Sequence, residues 1–287
     1  MYTYKIKNLP KSTVEVEIII KADYLKQKKD KAFIRLQKEL VVEGFRKGKV
    51  PANIAKKYLS NEQIVNEMVQ KIIPEIYSEI IKKESLKPIY NPKIDFVKAK
   101  DGEDWQLKIT IAQKPVIDLK DYKKIVKDIK QSEKKPDIWV PGKDKEEKKD
   151  DKDNTLLLNK ILEALLNNIK VEISDLILDE ELNYRLTALV DDIRKLGLTT
   201  EAYLKSKNIT MEELQKNYRK EIEDTYKLEF ILNEIADKEE IKVEKNDLDK
   251  LFANITDEKQ KQQALENSYY YASILRKQKT LDYLISL

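Results

Sequence analysis

Apolar and polar positions alternate along the first twenty residues. Val14, Val16, Ile18 and Ile20 recur at every second position with Glu15, Glu17 and Ile19 between them, and Tyr2, Tyr4 and Ile6 show the same period before Asn8-Leu9-Pro10. A period of two sends alternate side chains to one sheet face, so the pattern predicts two strands joined as a hairpin. From Asp23, a helix-capping residue type, the spacing lengthens. Leu25, Ala32, Phe33, Leu36 and Leu40 predict a helix to about Glu43, ended by Gly44. Two more helices follow, over about 51–59 and 62–84. In the second, Ile64, Met68, Ile72, Ile76 and Ile80 step by four, and Pro74, which lacks an N–H, is expected to kink it. Alternation returns at Ile94 and Phe96, passes the turn dipeptide Asp101-Gly102, and resumes at Trp105, Leu107, Ile109 and Ile111. Residues 1 to about 115 thus read β-β-α-α-α-β-β. This is an α+β arrangement, an antiparallel sheet with helices packed on it and a helix-loop-helix tip.

The pattern breaks over 131–153. This stretch holds 15 charged residues and two of the chain's eight prolines, the composition of a linker or exposed loop. Trp139 within it is expected to pack on a neighbouring domain edge or to serve as a docking contact. From Asn154 onward the periodicity is helical, with apolar stretches at Leu156–Leu166, Leu182–Leu196, Leu214–Ile235, Leu248–Ile255 and Leu265–Leu284. The division expected is therefore 1–130, a charged linker 131–153, and an elongated all-α domain over 154–287.

Composition narrows the chemistry. The 287 residues include no His and no Cys, which excludes imidazole bases, thiol nucleophiles, disulfides and Cys/His zinc sites. Five glycines, unclustered, give no Rossmann or Walker loop. Carboxylate pairs such as Asp150-Asp151, Asp191-Asp192 and Glu239-Glu240 lie in charge-rich stretches without a base or metal-ligand spacing, so no catalytic residue, metal or other cofactor is expected. The amino terminus lacks the apolar core of a secretory signal, and no apolar run approaches the roughly 20 residues that cross a bilayer. A cytoplasmic location without membrane attachment is the expectation.

Charge is unevenly placed. Residues 1–130 carry 29 Lys+Arg against 18 Asp+Glu (+11), and the remainder 27 against 34 (−7), so a total of +4 conceals a dipolar chain. Residues 21–60 alone hold 12 basic and 4 acidic side chains. Such a segment favours an anionic partner, although charge runs also serve simply as solvated helix faces.

One short segment concentrates the unusual features. Gly44-Phe45-Arg46-Lys47-Gly48-Lys49-Val50-Pro51 lies between two predicted helices and contains two of the five glycines. Glycine at both ends permits tight reversals, and Pro51 suits the start of the next helix. Arg46 is one of six arginines among 50 lysines, which points to bidentate pairing. Phe45 is read either as a presented anchor or as a staple folded back on the helices. Those alternatives stay open on residue chemistry alone.

The octet matches the GFRxGxxP signature of the ribosome-binding domain of the trigger factor family, at every fixed position. The chain resembles that family further along. Lys114-Pro115-Val116-Ile117-Asp118-Leu119-Lys120-Asp121-Tyr122-Lys123 is similar to the family's exit from that domain. Gly197-Leu198-Thr199-Thr200-Glu201-Ala202-Tyr203-Leu204, Thr210-Met211-Glu212-Glu213-Leu214 and Leu232-Asn233-Glu234-Ile235-Ala236 resemble its C-terminal domain. The resemblance implies an ATP-independent chaperone of unfolded and nascent polypeptides. Gly44, Phe45, Arg46, Lys47, Gly48, Lys49 and Pro51 would dock it on ribosomal protein and rRNA beside the exit tunnel, and helical arms would cradle clients. Whether the free protein forms a homodimer stays open. Family members usually carry a prolyl isomerase domain between these halves, where this chain has only 131–153, so no isomerase activity is expected.

A cradle needs apolar groups that tolerate water, and Tyr meets that need. Tyr269, Tyr270 and Tyr271 span about 200° of a helix surface, so at least one should be exposed, either as client contact or as an ordinary surface Tyr beside two buried ones. A competing reading keeps the basic tip as the functional end of a ribosome- or RNA-binding factor, with the helices as a spacer.

Overall fold

The computed structural model describes residues 1–133, 150–253 and 257–287; Trp139 and most of the expected linker lie outside the described residues. Packing divides the chain into two compact units, residues 1–114 with 174–177, and residues 115–173 with 178–287. By packing, the first break falls at 114. Its cause is the segment 122–133, which is helical and places Tyr122 and Val126 fully inside the helical unit.

In the first unit, β1 (Tyr2–Leu9), β2 (Thr13–Ile20), β3 (Lys93–Lys98) and β4 (Trp105–Ala112) form one antiparallel sheet in the order β1-β2-β4-β3. The register sets Ile18 between Tyr4 and Leu107, and Val16 between Ile6 and Ile109. Apolar side chains therefore share one face, as the period of two requires. That face is closed by α1 (Ala22–Glu39) and α3 (Asn61–Lys83), which add Leu25 and Ala32, and Met68, Ile72, Ile76 and Ile80, to a common core. Glu15, Glu17 and Lys108 occupy the opposite face, where Lys108 and Glu15 pair at 3.1 Å.

Both ends of α1 differ from the sequence expectation. Its N-cap is Lys21, with Asp23 inside the first turn. The capping carboxylate comes from across the fold instead: Asp104 accepts from the Ala22 N–H at 2.9 Å and from Lys21 Nζ at 2.8 Å. The Lys21 bond and then the Ala22 bond hold Asp104 below the usual carboxylate range. At the other end α1 stops at Glu39, because Leu40 turns extended (ψ 131°). The adjacent Val41-Val42 pair is β-branched and favours that conformation, and leaving the helix lets Val42 bury. Helix α3 begins at a Ser60–Gln63 capping box and continues through Pro74 as one element.

Among its described residues the second unit is built of helices: α4 (Tyr122–Glu133), α5 (Asp150–Asn168), α6 (Asp175–Lys195, whose first turn groups with the first unit), α7 (Thr200–Lys207), α8 (Met211–Lys238), α9 (Lys245–Ala253), α10 (Glu258–Glu266) and α11 (Ser268–Ser286). Helices α4 and α5 extend into both ends of the stretch read as linker. Around Ile161, Leu165, Ile231 and Ile235, all fully buried, α5 packs on α4, α8 and α11. A polar clasp joins three of these helices. Glu239, the C-cap of α8, accepts from Tyr122 Oη (2.7 Å), Tyr283 Oη (2.7 Å) and Lys123 Nζ (2.8 Å). The Lys123 bond first, and then the two tyrosine bonds, hold its carboxyl down at about 2. Burial, reinforced by the same carboxylate, pushes the Tyr122 hydroxyl well above its usual range.

Candidate docking site

Helix α1 ends at Glu39 and α2 (Ala52–Tyr58) begins after Pro51, its N-cap, so the octet closes the connection between them. A small apolar cluster supports that connection. Val42, Val50 and Ala55 are buried together, with Phe33, Leu40, Ile54 and Leu59 packed around them, separately from the core under the sheet. Gln37 fixes the returning strand of the loop by donating from Nε2 to the Val50 carbonyl at 2.7 Å.

Two successive four-residue turns shape the loop. The Phe45 N–H bonds to the Val42 carbonyl at 3.0 Å, and the Lys49 N–H to the Arg46 carbonyl at 2.9 Å. Gly44 (φ 83°) and Gly48 (φ 79°) each occupy the third position of their turn, while Glu43 and Lys47 before them keep negative φ. This is type II geometry, in which the third residue must adopt positive φ. The second turn is also crowded. A Cβ added to Gly48 would lie 3.3 Å from the Lys38 carbonyl, whereas one added to Gly44 would meet nothing within 4 Å. Phe45 and Arg46, last of one turn and first of the next, form the junction that both turns hold outward.

At that junction Phe45 is 38% exposed, between the two alternatives left open by sequence, and belongs to neither apolar cluster. Arg46, Lys47, Gly48, Lys49 and Pro51 are exposed. The other arginines all meet carboxylates: Arg35 with Glu67, Arg185 with Glu221, Arg194 with Asp191, Arg219 with Asp179 and Arg276 with Asp237. Among the described residues, Arg46 is the one arginine whose side chain makes no ion pair or hydrogen bond; Lys47 and Lys49 likewise make none. A guanidinium without an internal partner, next to a half-presented aromatic ring, can take an external carboxylate or phosphate while the ring enters an apolar notch.

The tyrosine triplet lies at the start of α11 and is split by packing. Tyr271 sits edge-on against Phe252 of α9 at 5.4 Å between centroids. Tyr269 and Tyr270 are 89% and 62% exposed. Two of the three thus face outward, more than the single exposed ring that helical geometry alone required. Among the described residues no cluster of three or more Asp or Glu could hold a metal ion, and no helix is long and apolar enough to cross a membrane.

Sequence periodicity did not single out Gln37, nor the small cluster beneath the loop. The available signal was the Val41-Val42 pair placed where a helix was expected to continue.

Similarity to known proteins decides the family. Residues 2–138 match the model described as bacterial trigger factor protein, and residues 142–286 match its C-terminus model. The chain belongs to the trigger factor family. Curated trigger factors include that of Moorella thermoacetica, 35% identical over 117 residues, which is 41% of this chain and 26% of that protein. That of Pediococcus pentosaceus is 39% identical over 110 residues, 38% of this chain and 25% of that protein. The matched stretch thus spans about a quarter of the length of these relatives. A solved structure of the trigger factor chaperone, described for promiscuous substrate recognition in folding and assembly, superposes with a TM-score of 0.65 over 99% of both chains. At 15% identity, that likeness is one of fold.

Proposed function

We propose that this chain is a ribosome-associated, ATP-independent chaperone of the cytoplasm, which docks through Phe45, Arg46 and Lys47 and holds unfolded or nascent polypeptides on its helical unit. The observation that carries the docking half is Arg46, without an ion pair to any carboxylate among the described residues and held forward by two type II turns. Gly44, Gly48 and Pro51 act on the backbone, while Lys49 adds positive charge. Exposed apolar side chains on the helices, Tyr269 and Tyr270 among them, favour a client-holding role over that of an inert spacer in an RNA-binding factor.

The reading includes no isomerase activity. The two family models adjoin at 138 and 142, with no intervening span in which a proline pocket could be built. Co-sedimentation with purified bacterial ribosomes tests the docking half. The Phe45→Ala, Arg46→Ala, Lys47→Ala triple variant should lose most binding, and equal sedimentation of variant and wild type would refute the assignment. Acceleration of X-Pro isomerisation in a test peptide, beyond the uncatalysed time of about tens to hundreds of seconds, would refute the second point.

A further inference from the structure

Apolar exposure beside the octet extends onto α1. Ile34 is 49% exposed in mid-helix, and Val41, directly after the α1 C-cap, is 74% exposed while its neighbour Val42 is buried. Lys38 lies one turn beyond Ile34 on the same helix face, is exposed, and has no ion pair or hydrogen bond from its side chain among the described residues. Two contacts bring the octet alongside this strip. Gly48 approaches the Lys38 carbonyl, and Val50 accepts from Gln37. The loop therefore returns next to the last turn of α1, and the strip is continuous with it.

We propose that Ile34, Lys38 and Val41 form a second part of the docking surface, which receives a protein face presenting aliphatic side chains with carboxylates between them. The inference rests on the docking role proposed for the octet. Its chemistry follows from the composition of the strip. Two β-branched apolar groups flank one cation, and the segment 38–49 carries Lys38, Arg46, Lys47 and Lys49 against Glu39 and Glu43. Positive charge alone would fit phosphate equally well. Exposed Ile and Val have nothing to gain from a phosphate backbone, but they lose water against aliphatic side chains, so a protein face is favoured. Val41 also has no folding reason to be apolar where it stands, since Val42 alone reaches the small cluster.

The test uses the full chain and purified bacterial ribosomes at fixed salt. Ile34→Thr with Val41→Thr keeps β-branching at both sites, so the melting temperature should stay at the wild-type value while the dissociation constant rises about tenfold. Val41→Ile, which keeps both the branching and the apolar surface, should bind as the wild type does. Val97→Thr, also exposed but on β3, should change nothing. Binding of the double variant within about twofold of wild type, with the octet triple variant still defective, would overturn the inference and leave the docking role intact. If the triple variant also bound normally, the docking role itself would fall. An unaffected double variant whose affinity dropped, with a shallower salt dependence, on Lys38→Gln would mark the strip as an RNA contact and likewise overturn the proposal.

Discussion

The α1–α2 tip and the helical unit differ in whether their arginines are paired. At the tip, Arg46, Lys47 and Lys49 make no ion pair among the described residues and stand beside a few exposed apolar groups, Ile34, Val41 and Phe45, while the other apolar side chains gather into a small cluster under the loop. In the helical unit, Arg185, Arg194, Arg219 and Arg276 are all tied to carboxylates, and large apolar groups such as Tyr184, Leu196, Tyr269 and Tyr270 stand out. An unpaired guanidinium fixed by two turns suits one partner in one geometry. Scattered tyrosines and leucines, which need no fixed geometry, suit many partners held weakly. On the function proposed above, the difference would let one chain combine a specific docking site with a permissive holding surface.

The sharpest way to break this comparison is to remove the tip chemistry and measure both ends. The Phe45→Ala, Arg46→Ala, Lys47→Ala variant is expected to lose more than about tenfold in ribosome affinity while suppressing aggregation of a denatured model client as well as wild type does. Loss of both activities together would show that the ends are not separable.

The next largest effect is expected in the clasp that holds the helical unit. Glu239→Gln leaves the two tyrosine hydroxyls and Lys123 with a neutral partner, and should destabilise that unit by about 2 kcal/mol, seen as a lower midpoint in urea. The sign with pH follows from the depressed carboxyl. Its stabilisation is complete above the ordinary value of 4.5 and is lost as pH falls toward about 2. The wild type should therefore weaken in that window more steeply than Glu239→Gln. Parallel acid profiles for the two would show that the clasp contributes nothing.

How much of this was legible in the sequence depends on the range of the interactions. The hairpins and the core face of α3 follow from periods of two and four, which are local, and the structure reproduces them. The reversals at Gly44 and Gly48 were readable because positive φ selects glycine. What escaped was non-local. Asp104 caps α1 from the far end of the sheet, and no spacing rule connects residue 104 with residue 22. Glu239 sat in an apparent surface pair, Glu239-Glu240, although the fold brings Tyr122 and Tyr283 to it from more than forty residues away in sequence on one side and over a hundred on the other. Helix α4 was not singled out, and its last residues were read as linker, because its buried face is completed only by helices later in the chain.

At the proposed client-holding surface, Tyr269→Ser with Tyr270→Ser should lower aggregation suppression by about twofold and cost less stability than Tyr271→Ser, since the exposed pair gives up only the edge contact of Tyr270 with Tyr271 at 5.6 Å. Tyr271→Ser should do the reverse, costing about 1 kcal/mol or more through the lost contact with Phe252. If the two outward tyrosines behaved like Tyr271, the exposed apolar groups would be structural and the permissive end would lie elsewhere.

The smallest expected effect separates the two glycines of the tip. Replacing either by Ala imposes positive φ on a residue with a Cβ, at a cost of about 1 kcal/mol. At Gly44 that is the whole cost, because nothing lies near the new atom. At Gly48 the Cβ also presses on the Lys38 carbonyl at 3.3 Å, and backbone can yield there only by moving the loop against α1. Gly48→Ala should therefore weaken ribosome binding more than Gly44→Ala, because it shifts Arg46 relative to α1 rather than merely straining a turn. Equal binding by the two variants would mean that the position of the loop against α1 does not matter, and that the tip works through its charges alone.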